Sequence, residues 1–174
     1  MRSLILGGAR SGKSQYALQL AKRRWQHPLY LATAEERDDE MRRRVAEHRR
    51  ARDANWLCVE EPLAIATVLR DTTHQADGIL VDCLTLWLAN VLLKEGIAAV
   101  EQRQEELLAA VQICPRHLIF ISNEVGMGIV PEHDLGRSFR DLAGRLHQNL
   151  AAAMDSVVLM IAGLPWALKG ALPE

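Results

Sequence analysis

The sequence predicts an α/β fold: a mostly parallel sheet with helices on both faces, built as one domain over residues 1–174. Three observations carry this expectation. Short, almost wholly apolar runs alternate with stretches of helical length along the chain. Strands of a parallel sheet are buried on both faces, so they read as continuous apolar runs rather than alternating ones. At 174 residues, 49% hydrophobic and 25% charged, the chain has the size and balance of one folded domain and not of a disordered segment. Neither an internal repeat nor a Ser/Pro-rich linker divides it.

The apolar runs fall at residues 3–6, 29–32, 57–59, 79–81, 118–121 and 157–161. A long helix is expected after Pro131, whose missing N–H costs little at a helix start. Leu135, Phe139, Leu142, Leu146 and Leu150 then recur at helical spacing and form one stripe, facing a core or another subunit. Residues 35–53 are polarised by charge. Glu35, Glu36, Asp38, Asp39 and Glu40 come first, and Arg42, Arg43, Arg44, Arg49, Arg50 and Arg52 follow. Acid before base complements a helix dipole, so a solvated helix is expected there.

The net charge of −1, from 21 basic and 22 acidic residues, argues against a nucleic-acid partner. Aromatic residues are only 5%, too few for a single-strand stacking platform. Cys58, Cys83 and Cys114 are isolated and lie in or beside apolar runs. Buried, reduced thiols are expected, as suits a reducing compartment. The opening run stops at Gly7-Gly8, short of a secretory segment, and the late run of residues 157–162 is too short to span a bilayer. A cytoplasmic protein is expected.

The chemistry begins at Gly7-Gly8-Ala9-Arg10-Ser11-Gly12-Lys13-Ser14, which matches G-x-x-x-x-G-K-[ST] between an apolar strand and an amphipathic helix. The glycines let the backbone wrap phosphates with its N–H groups pointing inward, and the helix adds its positive end. Lys13 is expected on the β- and γ-phosphates and the Ser14 hydroxyl on Mg²⁺. Residues 79–81 followed by Asp82 form an apolar strand ending in an acid, which presents a second ligand to Mg²⁺ or its waters. At the end of the run 118–121, Asn123 and Glu124 precede a Gly-containing loop. They serve substrate, metal or water, or they simply end a strand. His48 lies in Glu47-His48-Arg49-Arg50-Ala51-Arg52. It reads either as a surface histidine or as an imidazole kept neutral and nucleophilic by the arginines beside it. Guanidinium forks of that kind suit phosphate oxygens.

These segments, with Ala32-Thr33-Ala34-Glu35, Asp38-Asp39-Glu40-Met41, Trp56, Glu60-Glu61-Pro62, residues 123–132 and Phe139-Arg140-Asp141-Leu142-Ala143-Gly144-Arg145, occur in a characteristic order. The chain resembles the bifunctional adenosylcobinamide kinase / adenosylcobinamide-phosphate guanylyltransferases of cobalamin biosynthesis over nearly its whole length. The resemblance implies two reactions. A nucleoside triphosphate, ATP or GTP, phosphorylates adenosylcobinamide. GTP then guanylylates a histidine, matched here by His48, and the GMP passes to adenosylcobinamide phosphate. Nucleotide contacts carry over to Gly7 through Ser14, to Thr33, Ala34 and Glu35, to Arg49, Arg50, Ala51 and Arg52, and to Glu60 and Asp82. A P-loop NTPase-type fold and a homotrimer are also implied. Two rival readings are a plain small-molecule P-loop kinase without a covalent step, and an NTP-dependent switch that signals to a protein partner.

Overall fold

A computed structural model of the chain describes residues 1–35, 55–71 and 75–173. Seven strands form one sheet: β1 (Arg2–Gly7), β2 (Pro28–Ala32), β3 (Leu57–Glu60), β4 (Gly78–Asp82), β5 (His117–Asn123), β6 (Ser156–Ile161) and β7 (Leu164–Lys169). Their order is β3-β2-β4-β5-β1-β6-β7. Every neighbouring pair is parallel except β6 with β7, which is antiparallel. The helices are α1 (Lys13–Arg24), α2 (Ile65–Arg70), α3 (Leu84–Glu95), α4 (Ile97–Ile113) and α5 (Asp134–Ala153).

The apolar runs are strands because alternate residues serve two cores. Leu4, Leu6, Leu31, Val81 and Phe120 pack under α2, α3, α4 and α5. Ile5, Tyr30, Leu80, Ile119 and Ile121 pack against α1. Both faces of the sheet are thus covered, as the sequence predicts. Gly78 permits the tightest contact on the α1 side, since a Cβ there would lie 2.2 Å from the Trp25 ring.

The helix expected near Pro131 runs from Asp134. Some features differ from expectation, and the stripe of that helix divides. Leu142, Leu146 and Leu150 enter the core, whereas Leu135 is exposed. Cys83 and Cys114 are buried as expected, but Cys58 is exposed because β3 is an edge strand. The antiparallel β7 has no counterpart among the expected strands. The charged helix expected at residues 35–53 lies outside the described residues apart from Glu35.

The strand registers bring four functional segments to one edge. Gly7 lies opposite Asn123, Asp82 opposite Ile121, and Ala32 opposite Asp82. The carboxyl ends of β1, β5, β4 and β2 therefore lie side by side. The chain leaves β1 toward β2 on one side, and the β5-to-β6 connection crosses β1 to the other. Ligands of open α/β sheets bind outside the carboxyl ends at such a reversal.

Candidate active site

The loop from Gly7 to Lys13 is held from inside and from below. Lys13, nearly buried, donates from Nζ to the Gly8 carbonyl at 2.9 Å. The Ser11 amide donates to the same carbonyl at 3.3 Å. From below, the Gly163 amide in the β6–β7 turn donates to the Ser11 carbonyl at 3.0 Å. Gly12 adopts φ +92°, a conformation that disfavours any side chain, and a Cβ there would lie 3.2 Å from the Gly163 Cα. At Gly7 a Cβ would lie 2.5 Å from the Ser11 Oγ and 2.7 Å from the Met160 carbonyl. The first turn of α1 holds no acidic residue, and its Gly12 cap makes no side-chain hydrogen bond. The helix amides and dipole therefore face the loop, which is the arrangement that binds phosphate.

Two strands away, Asp82 ends β4. The Tyr30 hydroxyl donates to its Oδ2 at 3.0 Å. Trp56 packs edge-on against the Tyr30 ring, with centroids 6.3 Å apart. The peptide bond from Asp82 to Cys83 is cis. Thr33 fastens this turn. Its hydroxyl donates to the Cys83 carbonyl at 2.7 Å and accepts from the Cys83 amide at 2.8 Å. Its own amide donates to the Asp82 carbonyl at 3.1 Å. Asn90 of α3 then donates to the Thr33 carbonyl at 2.8 Å. The Cys83 thiol is pushed up in pKa, first by burial and then by the Asp82 charge, so it stays protonated at neutral pH.

Asn123 anchors the end of β5 through its amide and Nδ2, which donate to the Thr85 hydroxyl at 3.0 and 3.1 Å. The Glu124 amide donates to the Gly7 carbonyl at 3.0 Å, tying this residue to the phosphate-loop strand. Its Oε1 accepts from the Gly126 amide at 2.6 Å. Its Oε2 lies 3.8 Å from Nδ1 of His147 on α5. The other ring nitrogen, Nε2, is 2.7 Å from the Ser122 hydroxyl. Burial lowers the His147 pKa, and the nearby Glu124 carboxylate opposes that shift.

The structure thus brings the loop from Gly7 to Ser14, Asp82 and the Asn123–Glu124 pair to one edge of the sheet. Thr33 reaches that edge wholly buried, with its hydroxyl engaged by Cys83. Ala34 follows it. The Glu35 carboxylate pairs with Lys94 of α3. Glu60 ends β3 at the sheet margin and is exposed. His48, Arg49, Arg50, Ala51 and Arg52 lie outside the described residues. Sequence reasoning assigned nothing to His147 or Tyr30. The available signal was a polar residue flanking the apolar stripe of α5, and a tyrosine inside an otherwise apolar strand.

A phosphate loop that closes on an undecorated helix N-terminus, beside strands that end in polar residues, makes this a P-loop nucleotide-binding protein. Among solved structures, the assembled ATPase EscN of the enteropathogenic Escherichia coli type III secretion system shares the fold, with a TM-score of 0.58 at 12% identity. That match covers 92% of this chain and 43% of the EscN chain.

Within that class the chain belongs to the family described as cobinamide kinase / cobinamide phosphate guanyltransferase (CobU), whose family model matches residues 3–168. It is 48% identical over 170 residues to the bifunctional adenosylcobalamin biosynthesis protein CobP of Pseudomonas aeruginosa, with 98% of each chain covered. It is 40% identical to the bifunctional protein CobU of Salmonella typhimurium, with 97% of this chain and 100% of that protein covered. The CobU protein of Escherichia coli is 38% identical over the same share of each. The chain is therefore a bifunctional kinase and guanylyltransferase of cobalamin biosynthesis.

Proposed function

We propose that the protein phosphorylates adenosylcobinamide with ATP or GTP, and then transfers GMP from GTP to adenosylcobinamide phosphate through a covalent GMP adduct on His48. The observation that carries this reading is the near-complete family match joined to a phosphate loop that shares one sheet edge with Asp82. In the first reaction the acceptor hydroxyl oxygen bonds the γ-phosphorus and a nucleoside diphosphate leaves. In the second, a neutral His48 nitrogen bonds the α-phosphorus of GTP and pyrophosphate leaves. A phosphate oxygen of adenosylcobinamide phosphate then displaces the histidine, giving adenosylcobinamide-GDP. Two displacements replace one difficult transfer. Neutral imidazole is the reactive form, and Arg49, Arg50 and Arg52 beside His48 in sequence favour it.

The loop from Gly7 to Ser14, with Arg10 at its tip and Lys13 at its base, is the triphosphate cradle of this reading. Ala34, Glu35, Glu60 and the stretch from Arg49 through Arg52 are its further nucleotide contacts, as the family resemblance implies. For Thr33 the same resemblance points to the nucleotide, and the local geometry supports a role through Asp82 and Cys83. Ser14 and Asp82 would hold Mg²⁺. A hydroxyl and a carboxylate are the hard oxygen donors this ion takes, and the Tyr30 hydrogen bond fixes one carboxylate oxygen of Asp82. Held there, the ion would supply positive charge against the transferring phosphates.

The reading includes a homo-oligomer, a trimer by family resemblance. It is supported by β7, an edge strand on which Leu164, Trp166 and Leu168 alternate as a row of exposed apolar side chains. Among the described residues no helix is long and apolar enough to cross a membrane. A cytoplasmic site of action is proposed from the pathway's small-molecule substrates.

The experiment is labelling with GTP radioactive at the α-phosphorus. The wild type should form an acid-labile, base-stable adduct. His48→Asn should form none and make no adenosylcobinamide-GDP, while part of the kinase activity survives. An adduct that persists in His48→Asn refutes the assignment.

A further inference from the structure

The buried imidazole of His147 has no part in the reactions proposed above. His147 is 7% exposed, on α5, and the rest of its surroundings are largely apolar: Leu146 and Leu150 flank it on the helix face that enters the core. Its ring nevertheless has polar neighbours on both nitrogens. Nε2 meets Ser122, itself wholly buried, at 2.7 Å, and Nδ1 faces Glu124 at 3.8 Å.

The chemistry of the neighbours fixes the tautomer. A carboxylate only accepts, so the proton of a neutral ring belongs on Nδ1, facing Glu124. Nε2 then accepts from the Ser122 hydroxyl. Ser122 near the end of β5 and Glu124 just beyond that end both lie against His147 of α5. The Glu124 amide donates to the Gly7 carbonyl, so this residue adjoins the point where β1 runs into the phosphate loop. Its second carboxylate oxygen is already turned back onto the Gly126 amide.

We propose that Glu124 is the carboxylate that orients the acceptor hydroxyl in the kinase reaction and takes its proton, and that His147, itself held by Ser122, is the positioning residue that aims it. This rests on the kinase half of the proposed function. In the step, the acceptor O–H bond breaks and its proton passes to Glu124. The oxygen forms a bond to the γ-phosphorus, and the bond from that phosphorus to the bridging oxygen breaks, the electron pair leaving with the nucleoside diphosphate. The 3.8 Å separation is longer than a hydrogen bond, and contacts of this kind commonly tighten only in the substrate complex.

The test uses steady-state kinase kinetics of the full chain with ATP, Mg²⁺ and adenosylcobinamide, alongside melting curves. Glu124→Gln keeps the shape at a position that is only partly buried. It should lower kcat by about 100-fold or more while the KM for ATP changes by less than about threefold. His147→Asn places an amide N–H where Nδ1 stands and should keep kcat within about threefold of wild type. His147→Gln places its amide at the Nε2 position, reaching Ser122 but not Glu124, and should lower kcat roughly 10- to 100-fold. Glu124→Gln with unimpaired kcat overturns the proposal, as do Asn and Gln variants of equal kcat, since a packing role does not distinguish the two. Wild-type protein without turnover of adenosylcobinamide refutes the proposed function itself, whereas an active wild type with an unaffected Glu124→Gln refutes this inference alone.

Discussion

Replacing Thr33 by valine separates two roles for this residue, nucleotide contact and clamp on the Asp82–Cys83 turn. Valine keeps the branched shape and removes only the hydroxyl. In the structure that hydroxyl accepts from the Cys83 amide at 2.8 Å and donates to the Cys83 carbonyl at 2.7 Å. The losses are unequal. The carbonyl also accepts from the Trp87 amide at 3.1 Å and stays partnered. The amide loses the Thr33 oxygen at a buried position. One buried donor left unsatisfied costs about 1–3 kcal/mol. For a chain of this size each kcal/mol corresponds to roughly 2–4 °C, so the melting temperature should fall by roughly 2–12 °C. Thr33→Ser restores the hydroxyl and should recover most of the loss. Because the clamp holds the backbone at Asp82, the Mg²⁺ concentration for half-maximal kinase activity should also rise in Thr33→Val. Circular-dichroism melts and a Mg²⁺ titration measure both effects. A valine variant that melts within about one degree of wild type would refute the clamp.

Other expectations follow from the same geometry. Lys13→Ala should abolish both reactions, by roughly two decades of rate or more, because each needs the triphosphate held with its charge compensated; near-normal turnover in either assay would refute the phosphate-loop assignment. Asp82→Asn should keep the fold and raise the Mg²⁺ requirement, as read from the same titration. For His147 the sign follows from burial, which lowers the folded-state pKa below the unfolded value of about 6.5. Above that pH both states leave the ring neutral and its burial is stable. As pH falls, the unfolded chain takes up a proton that the folded one resists, so stability is lost toward and through the folded pKa. Urea midpoints from pH 8 down to pH 5, as assay limits of about that span, should show wild type losing more stability than His147→Asn.

Much of the fold is legible in the sequence because buried parallel strands announce themselves locally. Residues 79–81 and 118–121 have no polar member, and their burial on two faces is the reason. β7 is silent for the opposite reason. It carries Pro165, its side chains are mostly exposed, and it exists only by pairing with β6. Cys58 misled because apolar neighbours signal a strand, and nothing local distinguishes an edge strand from a central one. The phosphate loop is legible because phosphate binding requires fixed residue types at fixed spacing, and Asp82 is legible only as the acid that ends an apolar strand. The role of Thr33 is not, because its partner Cys83 is set by the register of β2 against β4. Nor is that of His147, whose partners Ser122 and Glu124 lie more than twenty residues away in the chain.

The brace beneath the phosphate loop has a consequence for the order in which the protein becomes competent. The loop is made first, within residues 7–14, yet β1 lies between β5 and β6, and the amide that steadies Ser11 belongs to Gly163. A nascent chain that has emerged through α4 holds the full nucleotide motif without either strand that flanks it. Contacts so distant in sequence form late, after a large loop-closure cost. Nucleotide should therefore bind to nearly complete chains and not to earlier synthesis intermediates, so that the earliest-made chemical group of this enzyme is among the last to start working.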